Sequence, residues 1–281
     1  MNRWMLSWAA ITAALTLAGC VSSAPRLTPQ QEAAIEYNQR GEAAFRQGEY
    51  ALARDEYQKS LSIHRSVENQ EGVARELMNL SLVYRRLGNS SDAHGVLDQI
   101  LSGHGLAFDE RLRAEAAYRK ASLYLDDADD AQARVWAGRA LNFCRGCPAE
   151  GRIYNLQARM ALSARPAESL QLARRALTVN RSAGNKTEEA NSHRLIADAA
   201  YQTQDYPVAQ TAYAAALQLD KETGAAEKVA LDLMGLGRSF ARQGKRNEAK
   251  EYFQRAYLVS EGAGDTRAMD EAAAEIKKLA P

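Results

Sequence analysis

A frame of small residues returns about every forty positions along this 281-residue chain. Gly41-Glu-Ala-Ala-Phe-Arg-Gln-Gly-Glu-Tyr-Ala-Leu-Ala53 and Gly237-Arg-Ser-Phe-Ala-Arg-Gln-Gly-Lys-Arg-Asn-Glu-Ala249 share a small first residue, a glycine seven later and an alanine twelve later. The frame recurs from Ser81, Ser122, Ala158 and Ala197, at steps of 40, 41, 36, 39 and 40 residues. Gly184, Gly224 and Gly264 punctuate the boundaries between later units. Self-similarity at this period means a stack of one supersecondary unit, in which each copy buries its apolar face against the next.

Each unit reads as two amphipathic helices joined by a tight turn. Leu233, Leu236 and Phe240 lie three and four apart on one face, Gly244 ends that helix, and Ala249, Phe253 and Ala256 line the second. The pattern resembles the tetratricopeptide repeat, with Tyr37, Gly41, Gly48, Tyr50, Ala53 and Tyr57 standing at its signature places in unit one. The resemblance implies an all-α fold, a right-handed α-solenoid of about six helix-turn-helix repeats over residues 30–263. Two departures stand out. The period is near forty, so the second helix or the loop after it is longer than usual, and the proline that ordinarily closes a unit is absent. Unit three, ending in Asp126-Asp127-Ala128-Asp129-Asp130, reads as one turn residue short, and unit four has Ser163-Ala-Arg-Pro166 where a turn glycine is expected. Residues 264–281 carry one more amphipathic stretch, with Met269, Ala273, Ile276 and Leu279 on one face. It is expected to cap the exposed flank of the last unit.

The N-terminus carries an address. Arg3 precedes a short apolar run, and Leu17-Ala-Gly-Cys20 closes it. This resembles the lipobox of bacterial lipoproteins, which implies a signal peptide over 1–19, lipidation of Cys20 and a flexible tether over 20–29. Val21, in place of an aspartate after the cysteine, favours the outer membrane, with the folded part facing the periplasm. A lipid tether holds a protein at a membrane without any segment crossing it. Charges nearly balance at +1, which excludes recruitment of nucleic acid by bulk charge.

Cys144-Arg-Gly-Cys147 is the other cysteine feature. A structural disulfide is the expected state in an oxidising compartment. Reactive thiols would require a helix start after a strand, and a metal site would require two further ligands. His64, His94, His104 and His193 fall at unrelated frame positions, and His193 stands at a packing position. With no HExxH, phosphate loop or nucleophile elbow, no enzyme, cofactor or metal is expected. The acidic run at 126–130 lacks the glycine and closing glutamate of a calcium loop and reads as a solvated turn.

The resemblance to tetratricopeptide repeats implies a concave groove lined by the first helices. Transferred position by position, it assigns to the groove Asn38 from unit one, Arg75 and Arg86 from unit two, and Arg119 from unit three. Unit four contributes Arg152, Asn155 and Arg159, unit five Arg194, and unit six Arg238. Unit three's full set is Ala116, Arg119, Leu123, Asp126 and Asp127. Ten arginines face Glu42 and three aspartates on this surface. Guanidinium forks suit carboxylates. The expected function is therefore a scaffold that binds an envelope protein or an acidic peptide, for assembly of an envelope machine. The competing expectation is a binding module for an anionic polysaccharide or cell-wall fragment.

Overall fold

A computed structural model describes residues 27–102, 106–144 and 146–279, so the signal peptide, Cys20, most of the tether and His104 lie outside the described residues. The described chain is helical in alternation. Six hairpins follow one another: α1 Pro29–Arg46 with α2 Tyr50–Ser66, α3 Gln70–Arg86 with α4 Ser90–Leu101, and α5 Glu110–Asp126 with α6 Asp130–Phe143. Then come α7 Glu150–Ala161 with α8 Pro166–Ser182, α9 Lys186–Gln202 with α10 Tyr206–Thr223, and α11 Ala226–Arg242 with α12 Arg246–Ala263. A last helix, α13 Thr266–Lys278, packs on α12. The chain is thus an all-α helical-repeat solenoid. First helices of neighbouring units touch one another (α3 with α5, α5 with α7, α7 with α9, α9 with α11) and so form the inner layer.

The frame of small residues exists because paired helices approach closely. A Cβ at Gly41 would lie 2.7 Å from the Tyr57 ring, and one at Gly237 would lie 2.5 Å from the Phe253 ring. Phe253 is 1% exposed, and its full burial contributes roughly 2–3 kcal/mol. The extra residues of the forty-residue period are shared by both helices of a unit: α1 has 18 residues and α2 has 17, and α11 has 17 and α12 has 18. Without the closing proline, α2 runs on through Arg65 to Ser66.

Helix α1 begins at Pro29 with Thr28 as its cap, in a reciprocal capping box with Gln31, so the folded region starts inside the expected tether. Five of the six turns within units close alike. At the first, Gly48 (φ 79°) donates to the Phe45 carbonyl and Glu49 to the Ala44 carbonyl. Unit three makes the same turn with Ala128 at φ 60°, donating to Leu125, while Asp129 donates to Tyr124. It therefore lacks no residue; an alanine occupies the left-handed position. Counting back seven places puts Ala121, not Ser122, at the small-residue position of unit three. Burial agrees, since Ala121, Ala116 and Leu123 are buried whereas Ser122 is half-buried and donates to the Tyr118 carbonyl. Unit four turns without any positive φ, entering α8 through Pro166. In α13, Ala272 is the fully buried residue, flanked by half-buried Met269, Ile276 and Leu279; Ala273 faces outward, one position off the expected face.

Candidate functional site: the groove of first helices

The inner face carries two adjoining hollows. The larger, about 590 Å³, spans units two to five between Arg75, Arg111, Glu115, Arg152 and Glu188, with Cys147, Pro148 and Ala149 on its rim. The second, about 370 Å³, lies over Tyr118, Leu156, Leu162, Leu195 and Leu231, with Arg159, Asn191 and Asp198 on its walls.

Several expected groove residues are consumed inside the protein. The fifth place of one unit reaches the third place of the next, forming a latch between units. Asn38, 8% exposed, donates to both carboxylate oxygens of Glu76 at 3.0 Å, where Ser60 also donates. Burial pushes the Glu76 carboxyl up, against the hydrogen bonds from Asn38, Ser60 and Asn79. Asn155, 5% exposed, donates to the Glu188 carbonyl and side chain and accepts from Ser192 at 2.8 Å. It is occupied in joining α7 to α9 and has no free amide for a peptide backbone.

Arg194 makes the third latch. Its guanidinium donates to Asp232 on α11 at 2.7 and 3.2 Å and to Asp220 on α10, and both aspartates are wholly buried. Two carboxylates sharing one cation out of water favour retention of a proton. Burial accordingly pushes Asp232 up to about 7, and the neighbouring Asp220 adds to the rise while Arg194 opposes it. Arg194, its side chain 14% exposed, is thus engaged in joining unit five to unit six.

Unit three also changes the charge of the face. Its corrected frame removes Ala116, Arg119, Leu123 and Asp127 from the groove positions and brings in Glu115, Tyr118, Ser122 and Leu125. Glu115 accepts from Arg119 at 2.8 Å and pairs with Arg152, whose guanidinium lies 4.4 Å above the Tyr118 ring. Arg85 pairs with Asp126 at 2.7 Å. Four of the expected arginines stay exposed: Arg75, Arg86, Arg159 and Arg238. Among the described residues, no ion pair uses them, in contrast to Arg119, Arg152 and Arg194.

Arg159 stands beside the leucine floor of the second hollow, where Leu231 is 55% exposed. Leu231 stands at the second place of unit six's first helix, where a search for charge alone passes over it. Asp198 on the same wall accepts from the Tyr213 hydroxyl, and burial pushes its carboxyl up against that bond and against Arg194 and Arg238.

The remaining polar candidates serve structure. Cys144, 1% exposed, is disulfide-bonded to Cys147, with their Cα atoms 5.0 Å apart. His193 is half-buried beside Arg181 at 3.3 Å, and burial lowers its pKa. His94 stacks on Tyr124 at 4.1 Å, and its ring bonds Asp127 in the acidic run. Among the described residues no cluster of His, Cys, Asp and Glu has the form of a metal site.

A stack of two-helix units with an inner groove defines a helical-repeat binding scaffold. A tetratricopeptide repeat profile matches residues 31–103 and 188–261, more than half of the chain. The chain belongs to the tetratricopeptide repeat family. No curated protein matches. Solved structures of similar fold include a signal-transduction ATPase with a tetratricopeptide repeat sensor from Pyrococcus horikoshii, at 15% identity and TM-score 0.66. That match covers 86% of this chain but 36% of the archaeal one, so the chain spans about a third of its length. PilF of Pseudomonas aeruginosa is similar at 18% identity and TM-score 0.60, covering 88% of this chain and 100% of PilF. A Rap protein complexed with Competence and Sporulation Factor matches at 14% identity and TM-score 0.61, over 90% of this chain and 76% of Rap. At these identities the likeness is one of fold.

Proposed function

We propose that this chain is a non-catalytic scaffold, lipid-anchored to the bacterial outer membrane through Cys20 and facing the periplasm. Its inner groove holds a segment of a partner envelope protein during assembly of an envelope machine. Repeats of this family commonly bind proteins, and the Rap complex is one example of a similar fold with a bound factor. The anchor rests on Leu17-Ala-Gly-Cys20 and the apolar run before it.

One observation carries the binding site: exposed Arg159 stands beside a leucine-floored hollow on the inner face, with Leu231 left 55% in solvent. An apolar floor with a few polar groups is the form of a pocket for an aliphatic side chain, and a nearby unpaired guanidinium suits a carboxylate. Arg238, exposed on α11, the helix that also carries Leu231, extends the positive edge. The partner segment is therefore extended, with an aliphatic residue near an acidic group or a chain terminus. A leucine floor suits such a segment better than it suits an anionic polysaccharide.

The test is capture of partners from membrane extracts by the full chain and by two variants. Arg159→Glu with Arg238→Glu, or Leu231→Asp alone, should abolish partner capture while leaving the thermal melt within about 2 °C, because substitutions at exposed sites cost little. Unchanged capture would place the partner on another surface. Retention on immobilised anionic glycan, with no protein present, would favour the polysaccharide reading.

A further inference from the structure

The solenoid's apolar core is divided. One large cluster runs from Ala44 on α1 to Leu123 on α5, and another from Ala158 on α7 to Ala272 on α13. Between them, α5, α6 and α7 meet through two small clusters, one of which holds Cys144; α7 contributes Ile153, Leu156 and Met160, with half-buried Tyr118 and Trp136 packed on them. Fewer fully buried side chains meet here than in either large cluster, so this junction buries less apolar area than its neighbours.

Polar latches join units one to two, four to five and five to six; the equivalent pairs are Met78 with Ala116 between units two and three, where one continuous apolar cluster spans the boundary, and Tyr118 with Ile153 between units three and four, where none does. At the three latched boundaries the backbone also closes on itself, with Asn69 donating to His64, Asn185 to Asn180 and Ala225 to Asp220. After α6 the disulfide stands in that place, with Glu150 donating to the Cys147 carbonyl at 3.1 Å. The Arg152–Glu115 pair crosses the same junction, but both side chains are partly solvated (29% and 19% exposed), and such pairs contribute little. Cys147, Pro148 and Ala149 form the rim of the 590 Å³ hollow.

We propose that the Cys144–Cys147 disulfide is a clip that fixes the angle between a body of units one to three and a body of units four to six, and with it the width of the groove. A dithiol reductant opens the clip: the S–S bond breaks, two protein thiols form, and the reductant becomes its own disulfide. Each body keeps its core, and the hinge lies at Cys147–Ala149. The device is a property of the chain alone and does not depend on what the groove holds.

The experiment places spin labels, through non-canonical amino acids, at exposed Leu52 on α2 and Leu258 on α12 of the full chain, one on each body. Interlabel distances are compared for the oxidised protein, the protein treated with dithiothreitol, and the Cys144→Ala, Cys147→Ala double variant. The width of the distance distribution should at least double in the last two states. Amide exchange should accelerate over residues 146–156 while α1–α4 and α9–α13 stay protected. An unchanged distribution overturns the proposal. So does loss of protection throughout both bodies, which would make the disulfide a staple of global stability.

Discussion

Replacing Arg194 with methionine deletes the cation shared by two wholly buried carboxylates, Asp220 and Asp232. Breaking a buried ion pair by removing one partner costs about 3–5 kcal/mol, because the other charge is left unpaired out of water. At about 2–4 °C per kcal/mol for a chain of this size, the melting temperature should fall by on the order of 10 °C. Neighbour-limited cooperativity in repeat arrays should concentrate the loss in units five and six. The effect depends on pH, with a sign fixed by Asp232. Its carboxyl is pushed up to about 7 in the folded chain, above its ordinary value of 3.8. The folded state therefore holds a proton that the unfolded chain releases. Stability from this group is complete below its ordinary pKa and is lost as pH rises through about 7. The limiting slope is about 1.4 kcal/mol per pH unit. Melting followed by circular dichroism at pH 6 and pH 8 should show the natural chain less stable at pH 8, and Arg194→Met more strongly so. Adding Asp220→Asn and Asp232→Asn should restore much of the loss. A shift under 2 °C at both pH values, with partner capture lost, would refute the buried triad and return Arg194 to the groove.

Further expectations follow from single positions. Ala128→Gly should stabilise the chain by about 0.5–1 kcal/mol, since alanine there holds φ 60°, and the denaturant midpoint reads the gain. Gly237→Ala should cost roughly 1–3 kcal/mol, because the new methyl meets the Phe253 ring at 2.5 Å and must push it aside; the same denaturant titration reads the loss. Thiol titration of the denatured, unreduced protein should find neither Cys144 nor Cys147 free. Cys20→Ala should leave the protein folded and move it out of the membrane fraction after a high-salt wash, because acyl chains supply the affinity.

The number of units, their two-helix form and the final helix were legible in the sequence. Close helix packing demands small residues at fixed intervals, and the Gly41–Tyr57 and Gly237–Phe253 approaches show that demand directly. Unit three misled the frame because alanine takes its left-handed turn position and because Ala121 and Ser122 are both small. The roles of the groove arginines were less legible. Those roles depend on carboxylates distant in the chain: Glu115 for Arg152, and Asp220 and Asp232 for Arg194. Asp232 lies in the apolar run Leu231-Asp-Leu-Met234, where only the packed structure reveals its partner. Asn38 and Asn155 were legible as inward-facing positions but not as latches, since a latch needs the facing residue of the next unit. What remained exposed and outside ion pairs, Arg75, Arg86, Arg159 and Arg238 together with Leu231, is a smaller and less uniformly basic surface than the sequence suggested.

The most direct test of the account is site-specific photocrosslinking in intact cells, with the photoreactive residue placed in turn at Leu231 in the groove and at Leu52 and Leu258 on second helices. A discrete crosslinked partner should form from Leu231 alone and be lost when Arg159 and Arg238 are changed to glutamate. The same adduct from Leu52 or Leu258, with none from Leu231, would contradict it.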